Sequence, residues 1–129
     1  MPHFIVEYSA NVEDAVDMRD FCETLRVAGL ATGIFPEAGI RVRAYRSDAF
    51  AIADGRPDAG FIDITVRLRA GRTMEVRKDA TKHIFDAAEA YLEPLFAERP
   101  LALSFEMRNI DPDLSPKRNS IRDFMNKEQ

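Results

Sequence analysis

The sequence has few of the residues from which metal and redox sites are usually built. Its 129 residues include one cysteine, Cys22, and two histidines, His3 and His83. A single thiol excludes an intrachain disulfide. Neither histidine has a partner at metal-ligand spacing, and one cysteine is too few for a zinc site. We therefore expect no metal site.

Glycine is also scarce, with six residues in the chain. Gly29, Gly33 and Gly39 are spaced too widely to cradle a phosphate, and the sequence contains no dinucleotide-binding fingerprint. It also lacks the Gly-x-Ser-x-Gly turn that carries a nucleophilic serine. These absences argue against a nucleotide-binding enzyme and against a serine hydrolase.

Long apolar runs are missing as well. No run approaches the roughly 18 residues of a membrane span, and the start MPHFIVEYS does not have the pattern of a signal peptide. The net charge of -4 argues against nucleic acid as a partner. We therefore expect a cytoplasmic protein that binds neither nucleic acid nor membranes.

What is present is an ordinary globular composition, with 46% apolar and 31% charged residues. Apolar alternation predicts four strands, and apolar residues at helical spacing predict two helices between them. The strands are predicted at 3–9, 40–45, 61–68 and 101–107. Asn11 is predicted to cap the first helix and Thr73 the second, which Pro94 should kink or end near its last turn. A short helix is possible at 120–125.

The order of these elements is β-α-β, a turn, and β-α-β again. Residues 3–5 match residues 60–62 at an offset of 57, and right-handed crossovers would place both helices on one face of a single sheet. The sequence thus predicts one α+β domain over 1–129, with repeat halves at about 2–47 and 59–110 and a tail at 111–129. The sheet face away from the helices would mix polar and apolar side chains, which favours assembly with other subunits.

Pro2 is the most distinctive candidate for chemistry. Proline is a common N-terminal residue, so its presence alone means little. If Met1 is removed, however, Pro2 presents a secondary amine at the head of a strand. An α-amino group titrates near 7.7–8.0, and a neighbouring cation or burial lowers that pKa. Such an amine could act as a base at neutral pH without any histidine.

The arginines are the second candidates. Arg41 and Arg43 alternate onto one strand face, where they could simply be solvated. Arg72 follows Gly71 at the start of the second helix, where free N–H groups and the helix dipole favour an anion. An arginine at that position is unfavourable unless an anion accompanies it, so Arg72 is a candidate anion ligand.

Six short segments, in order and at matching spacing, resemble the 5-carboxymethyl-2-hydroxymuconate Δ-isomerases of the tautomerase superfamily. The segments are PHFIVE at 2–7, ATGIFP at 31–36, AGIR at 38–41, ADG at 53–55, AGR at 70–72 and LALSFE at 101–106. The resemblance extends from Pro2 to about residue 119 and is weakest in the tail.

The resemblance implies a tautomerase-like fold, a homotrimer and an isomerase that needs no cofactor. It also implies a catalytic Pro2 and two substrate-binding arginines, which map onto Arg41 and Arg72. The implied substrate is a tricarboxylate dienol of homoprotocatechuate breakdown. Two alternatives stay open, namely a tautomerase-fold enzyme for another enol or unsaturated acid, and a non-catalytic oligomeric protein that binds carboxylates.

Overall fold

The computed structural model of the protein describes residues 1–127, in which the chain forms four strands and three α-helices. The strands are β1 (His3–Ser9), β2 (Arg41–Ser47), β3 (Gly60–Arg69) and β4 (Leu101–Ile110). The helices are α1 (Met18–Ala31), α2 (Met74–Glu98) and α3 (Ile121–Lys127). Two short 3-10 turns, Ala10–Val12 and Pro112–Leu114, follow β1 and β4.

The strands form one mixed sheet in the order β2-β1-β3-β4. β1 is parallel to β2, β3 is parallel to β4, and β1 and β3 pair antiparallel at the centre. Each parallel pair is connected by one long helix, as parallel strands require a crossover. The predicted pair of β-α-β units in a four-stranded mixed sheet is therefore confirmed.

The core lies between the sheet and the two long helices. Phe4 and Val6 of β1 and Ile64 of β3 are fully buried, while the alternate residues of both strands face away from the helices. Leu25 of α1 and Ile84 of α2 meet them from the helix side. Each such side chain contributes about 1.5–3 kcal/mol by leaving water. Because one face of the sheet is buried against the helices, a site can be built only from the strand residues on the opposite face.

The predicted start of the first helix is wrong. Asn11 lies in the 3-10 turn after β1, and α1 begins at Met18 with the Asp17 carboxylate accepting from the backbone N–H groups of Arg19 and Asp20. The side-chain amide of Asn11 instead donates to the carbonyl oxygen of Ala59, at 2.7 Å. Asn11 therefore connects the two repeats, a long-range role that its local sequence does not reveal.

The second helix begins as predicted, with the Thr73 hydroxyl accepting from the N–H of Val76 at 3.2 Å. It does not end at Pro94 but continues to Glu98. Proline removes the hydrogen bond to the carbonyl of Ala90, and Ala90 is exposed, so water can bind that carbonyl instead. The last turn is held by Leu95, which is buried in the core.

The predicted short helix near the C-terminus is present as α3. None of the helices over residues 1–127 combines the length and the apolar character needed to cross a membrane.

Candidate active site

Pro2 lies immediately before β1, at the end of the sheet where β2 also begins. It is buried, and its ring packs close to Gly39, where an added Cβ would lie 3.4 Å from Pro2 Cδ. The parallel register pairs His3 with Arg41. The fold therefore fixes the residue-2 nitrogen beside the entry to β2.

The amino terminus lies in a cationic environment. Burial and the nearby Lys117, Arg41 and Arg69 hold the pKa of the Met1 amine below its ordinary value. Removal of Met1 would make the Pro2 nitrogen the terminal amine. That nitrogen lies up to roughly 3.5 Å from the Met1 nitrogen, which is the length of one residue. The same cations would then disfavour the protonated form of a Pro2 amine.

Arg41 is held beside Pro2 by polar contacts with Gly39, Pro2 and His3. Its Nε donates to the carbonyl of Gly39 at 3.1 Å, and its Nη2 donates to the carbonyl of Pro2 at 3.2 Å. Nη2 also lies 3.2 Å from His3 Nε2. These contacts position the guanidinium beside the chain start without a carboxylate partner among residues 1–127, so its charge is free to bind an anion.

His3 lies between two guanidinium groups. Its Nε2 faces Arg41 and its Nδ1 is 3.2 Å from Nη1 of Arg43. Burial and the nearby Arg41, Arg67 and Arg43 lower the pKa of His3 to about 4. The ring is therefore neutral near pH 7 and accepts a hydrogen bond from only one of the two arginines, since a neutral imidazole has a single acceptor nitrogen.

The same level of the sheet carries a row of basic residues. Register places Arg41 of β2, His3 of β1 and Arg67 of β3 side by side on the face away from the helices. Burial and the charges of Arg43 and Arg67 lower the pKa of Arg41. Like charges this close repel one another, which a bound anion would relieve.

Arg72 approaches Pro2 from the other repeat. Its Nη2 donates to the carbonyl of Ile34 at 2.5 Å, and its Nη1 donates to the carbonyl of Arg69 at 3.4 Å. A guanidinium has five N–H donors, so these two bonds orient the group and leave donors for a ligand. The start of α2 itself is capped by Thr73.

Two clefts meet at the chain start. The larger, of about 550 Å³, is lined by five cationic side chains: Arg41, Arg67, Arg69, Lys117 and Arg118. The smaller, of about 190 Å³, is lined by Pro2 and Arg72, and the two clefts share Met1, Arg69 and Lys117. Within the described chain, no aspartate or glutamate lines the larger cleft. This unbalanced positive charge suits a ligand with several carboxylates.

The structure brings the three predicted site residues to one place. Pro2 and Arg41 are joined directly, and Pro2 and Arg72 line one cleft. Among the described residues, Arg41 but not Arg43 lines the larger cleft, which distinguishes two arginines that alternation alone could not. Over residues 1–127, no group of three or more His, Cys, Asp or Glu side chains is placed to hold a metal ion.

His3 and Lys117 also belong to the site, although neither was among the site residues predicted from the sequence. Strand alternation places His3 on the same face as Arg41 and was a usable signal for it. Lys117 has no such signal, because it reaches the chain start only through the path of the tail.

This architecture, two β-α-β units in one mixed sheet, is also the fold of solved structures with distant sequences. A solved fused 4-OT, described as a wild-type symmetric trimer, shares the fold at 17% identity with a TM-score of 0.64, covering 90% of this chain and 93% of that chain.

The family is also clear. A family model for 5-carboxymethyl-2-hydroxymuconate isomerases matches residues 2–125. A 5-carboxymethyl-2-hydroxymuconate Delta-isomerase from Escherichia coli is 38% identical over 121 residues, 94% of this chain and 96% of that protein. A crystal structure of a 5-carboxymethyl-2-hydroxymuconate delta-isomerase is 31% identical with a TM-score of 0.91, covering 97% of this chain and 93% of that chain. The chain belongs to the 5-carboxymethyl-2-hydroxymuconate isomerase family.

Proposed function

We propose that this protein is an isomerase that converts the dienol 5-carboxymethyl-2-hydroxymuconate into its conjugated keto isomer. The observation that carries the proposal is the site itself. Pro2 lines the smaller of two adjoining clefts, and the larger has five cations and, within residues 1–127, no acidic side chain. The substrate is a tricarboxylate, so its charge complements this surface. Family membership supports the same reaction.

In the proposed mechanism, the free amine of Pro2 takes the proton from the 2-hydroxyl group. The electron pair moves along the diene, so that C2 becomes a ketone and the remaining double bond lies between C3 and C4. The prolinium then returns a proton to C5. One proton leaves oxygen and one reaches carbon, so the step balances without a cofactor. The surrounding cations favour the neutral amine that the first step needs.

Arg41 and Arg72 are proposed to bind two of the substrate carboxylates, Arg41 from the larger cleft and Arg72 from the smaller. A planar guanidinium binds a carboxylate through two parallel hydrogen bonds, which fixes orientation better than a lysine would. Both groups are already oriented by backbone carbonyls. They would hold the dienol with its 2-hydroxyl near the amine and stabilise the negative charge that develops there.

The active form is proposed to begin at Pro2. While Met1 is attached, the residue-2 nitrogen is an amide and is not a base near neutral pH. Met1 also lines both clefts, so its removal would take away a wall that they share. Only the first repeat has such a terminus, since Ala59 lies mid-chain, and we therefore propose one site per chain.

We further propose a homotrimer that acts in the cytoplasm in homoprotocatechuate catabolism. The sheet face away from the helices carries Ile5 and Arg43, both half-buried, and closed symmetry is the usual outcome when such a face is covered by copies of the chain. Native mass spectrometry should give the mass of three chains. A stable monomer at micromolar concentration would contradict the trimer.

The experiment for the proposed function follows the enol–keto absorbance change of the purified protein, whose intact mass has first been checked for loss of Met1. The dienol should be converted faster than other muconate and pyruvate enols. Faster turnover of another enol would favour a different tautomerase activity. Carboxylate binding without any turnover would favour a non-catalytic binding protein.

A further inference from the structure

The C-terminal tail is fixed beside the chain start. After β4, the Ser115 hydroxyl donates to the carbonyl of Asp111 at 2.7 Å, closing a turn. The side-chain amide of Asn119 then donates to the carbonyl of Ala38 at 2.7 Å, while its oxygen accepts from the N–H of Ile121 at 2.8 Å. Ala38 lies three residues before Arg41. The tail therefore runs along the site, where residues 115–118 line the larger cleft.

Lys117 lies between these two anchors. It lines the 550 Å³ and 190 Å³ clefts and also a third cleft of about 250 Å³, and Met1 lines all three with it. Burial and, after it, the charge of Lys117 lower the pKa of the Met1 amine. Lys117 thus stands at the meeting point of the clefts.

Lys117 is an exposed cation at the edge of these clefts, among other cations. Within residues 1–127 it forms no ion pair with a carboxylate, and it faces the chain-start amine together with Arg41 and Arg69. Asp123 lines the third cleft together with Lys117 but forms no ion pair with it. An anion bound among these cations would offset their mutual repulsion.

The proposed substrate supplies such an anion, because it carries three carboxylates. Arg41 and Arg72 account for two of the three carboxylates, which leaves the third to be bound by another cation of the clefts. Lys117 is shared by the clefts that contain these two arginines, and it lines a third cleft together with Met1. Arg69 is also shared by both clefts and is the competing candidate.

We propose that Lys117 binds the third carboxylate and makes the site selective for tricarboxylates over dicarboxylates. The inference rests on the proposed function, because it assigns two carboxylates to Arg41 and Arg72. A charge-assisted contact of about 1.5–3 kcal/mol corresponds to roughly tenfold to a hundredfold in affinity. Lys117 is thus a specificity-determining residue supplied by the tail.

The test measures binding rather than turnover, so it does not depend on the proposed reaction. Isothermal titration calorimetry at fixed ionic strength, on protein lacking Met1, compares propane-1,2,3-tricarboxylate with the dicarboxylate glutarate. The unmodified protein should bind the tricarboxylate more tightly. Lys117→Ala should weaken tricarboxylate binding at least tenfold and glutarate binding less than threefold, and Lys117→Arg should restore most of the difference.

Lys78→Ala is the matched control, because Lys78 is an exposed lysine of α2 and its loss removes the same charge. It should leave both affinities unchanged. The inference is overturned if Lys117→Ala weakens both ligands equally, if it weakens neither, if the unmodified protein does not prefer the tricarboxylate, or if Arg69→Ala alone removes the preference. Selective binding without turnover of the dienol would overturn the proposed reaction and leave the role of Lys117 standing.

Discussion

Replacement of Arg41 by alanine should lower the isomerase activity strongly while changing the thermal stability of the protein only slightly. On the proposed mechanism, the change removes one charge-assisted contact with a substrate carboxylate, about 1.5–3 kcal/mol. That loss corresponds to a decrease of roughly tenfold to a hundredfold in kcat/KM. The decrease should be visible in the enol–keto absorbance assay.

The same change should affect folding much less. Arg41→Ala loses the hydrogen bonds to Gly39 and Pro2, each about 0.5–1.5 kcal/mol at most for a partly exposed group. It also removes repulsion from Arg43 and Arg67, whose charges lower the pKa of Arg41. These effects oppose each other, so thermal unfolding should shift by no more than about 4 °C, the equivalent of about 1 kcal/mol.

Arg46→Ala is the control on the same strand. Arg46 is exposed and bonded to Glu13 and Asp48, away from the clefts. Its loss should leave kcat/KM and the unfolding temperature nearly unchanged. The reasoning fails if Arg46→Ala is as damaging as Arg41→Ala, or if Arg41→Ala lowers activity only in proportion to unfolded protein in circular dichroism.

Two further predictions concern the neighbours of Pro2. Arg72→Ala should also lower kcat/KM roughly tenfold to a hundredfold with little loss of secondary structure, and full activity in steady-state assays would remove Arg72 from the site. For His3, whose pKa is lowered to about 4 in the folded chain, the stability contributed by the neutral ring is present above pH 6.5 and is lost as the pH falls toward 4. Thermal unfolding of His3→Gln should therefore depend less on pH between 6.5 and 4 than that of the unmodified protein, and equal slopes would contradict the assignment.

The fold was predictable because its strands are buried on one face. Alternation is continuous in β3, where Ile62, Ile64 and Val66 are buried, and it predicted which face of that strand meets the helices. The start of α1 was not predictable in the same way. Asn11 has the local character of a helix cap, but its amide reaches Ala59 in the other repeat, and such a contact outweighs a local preference.

The site was predictable only in part. The parallel register of β1 and β2 places Arg41 beside His3 and so next to Pro2. Alternation puts Arg41 and Arg43 on one face, and it was the resemblance that selected Arg41. The position of Lys117 beside the chain start depends on the path of the tail. A hydrogen bond between Asn119 and Ala38, which are 81 residues apart, helps to fix that path. No periodicity marks that contact, and only the folded chain shows that the tail returns to its own beginning.

The most direct measurement of the central claim compares isomerase rates of two preparations, one with Met1 retained and one with it removed. Intact mass identifies each form, and circular dichroism checks that both are folded. Retained Met1 turns the Pro2 nitrogen into an amide and moves the terminal amine by up to roughly 3.5 Å, whereas about 1 Å of misplacement can cost a hundredfold. The account predicts that only the form beginning at Pro2 is active. Equal rates from the two forms would show that Pro2 is not the base.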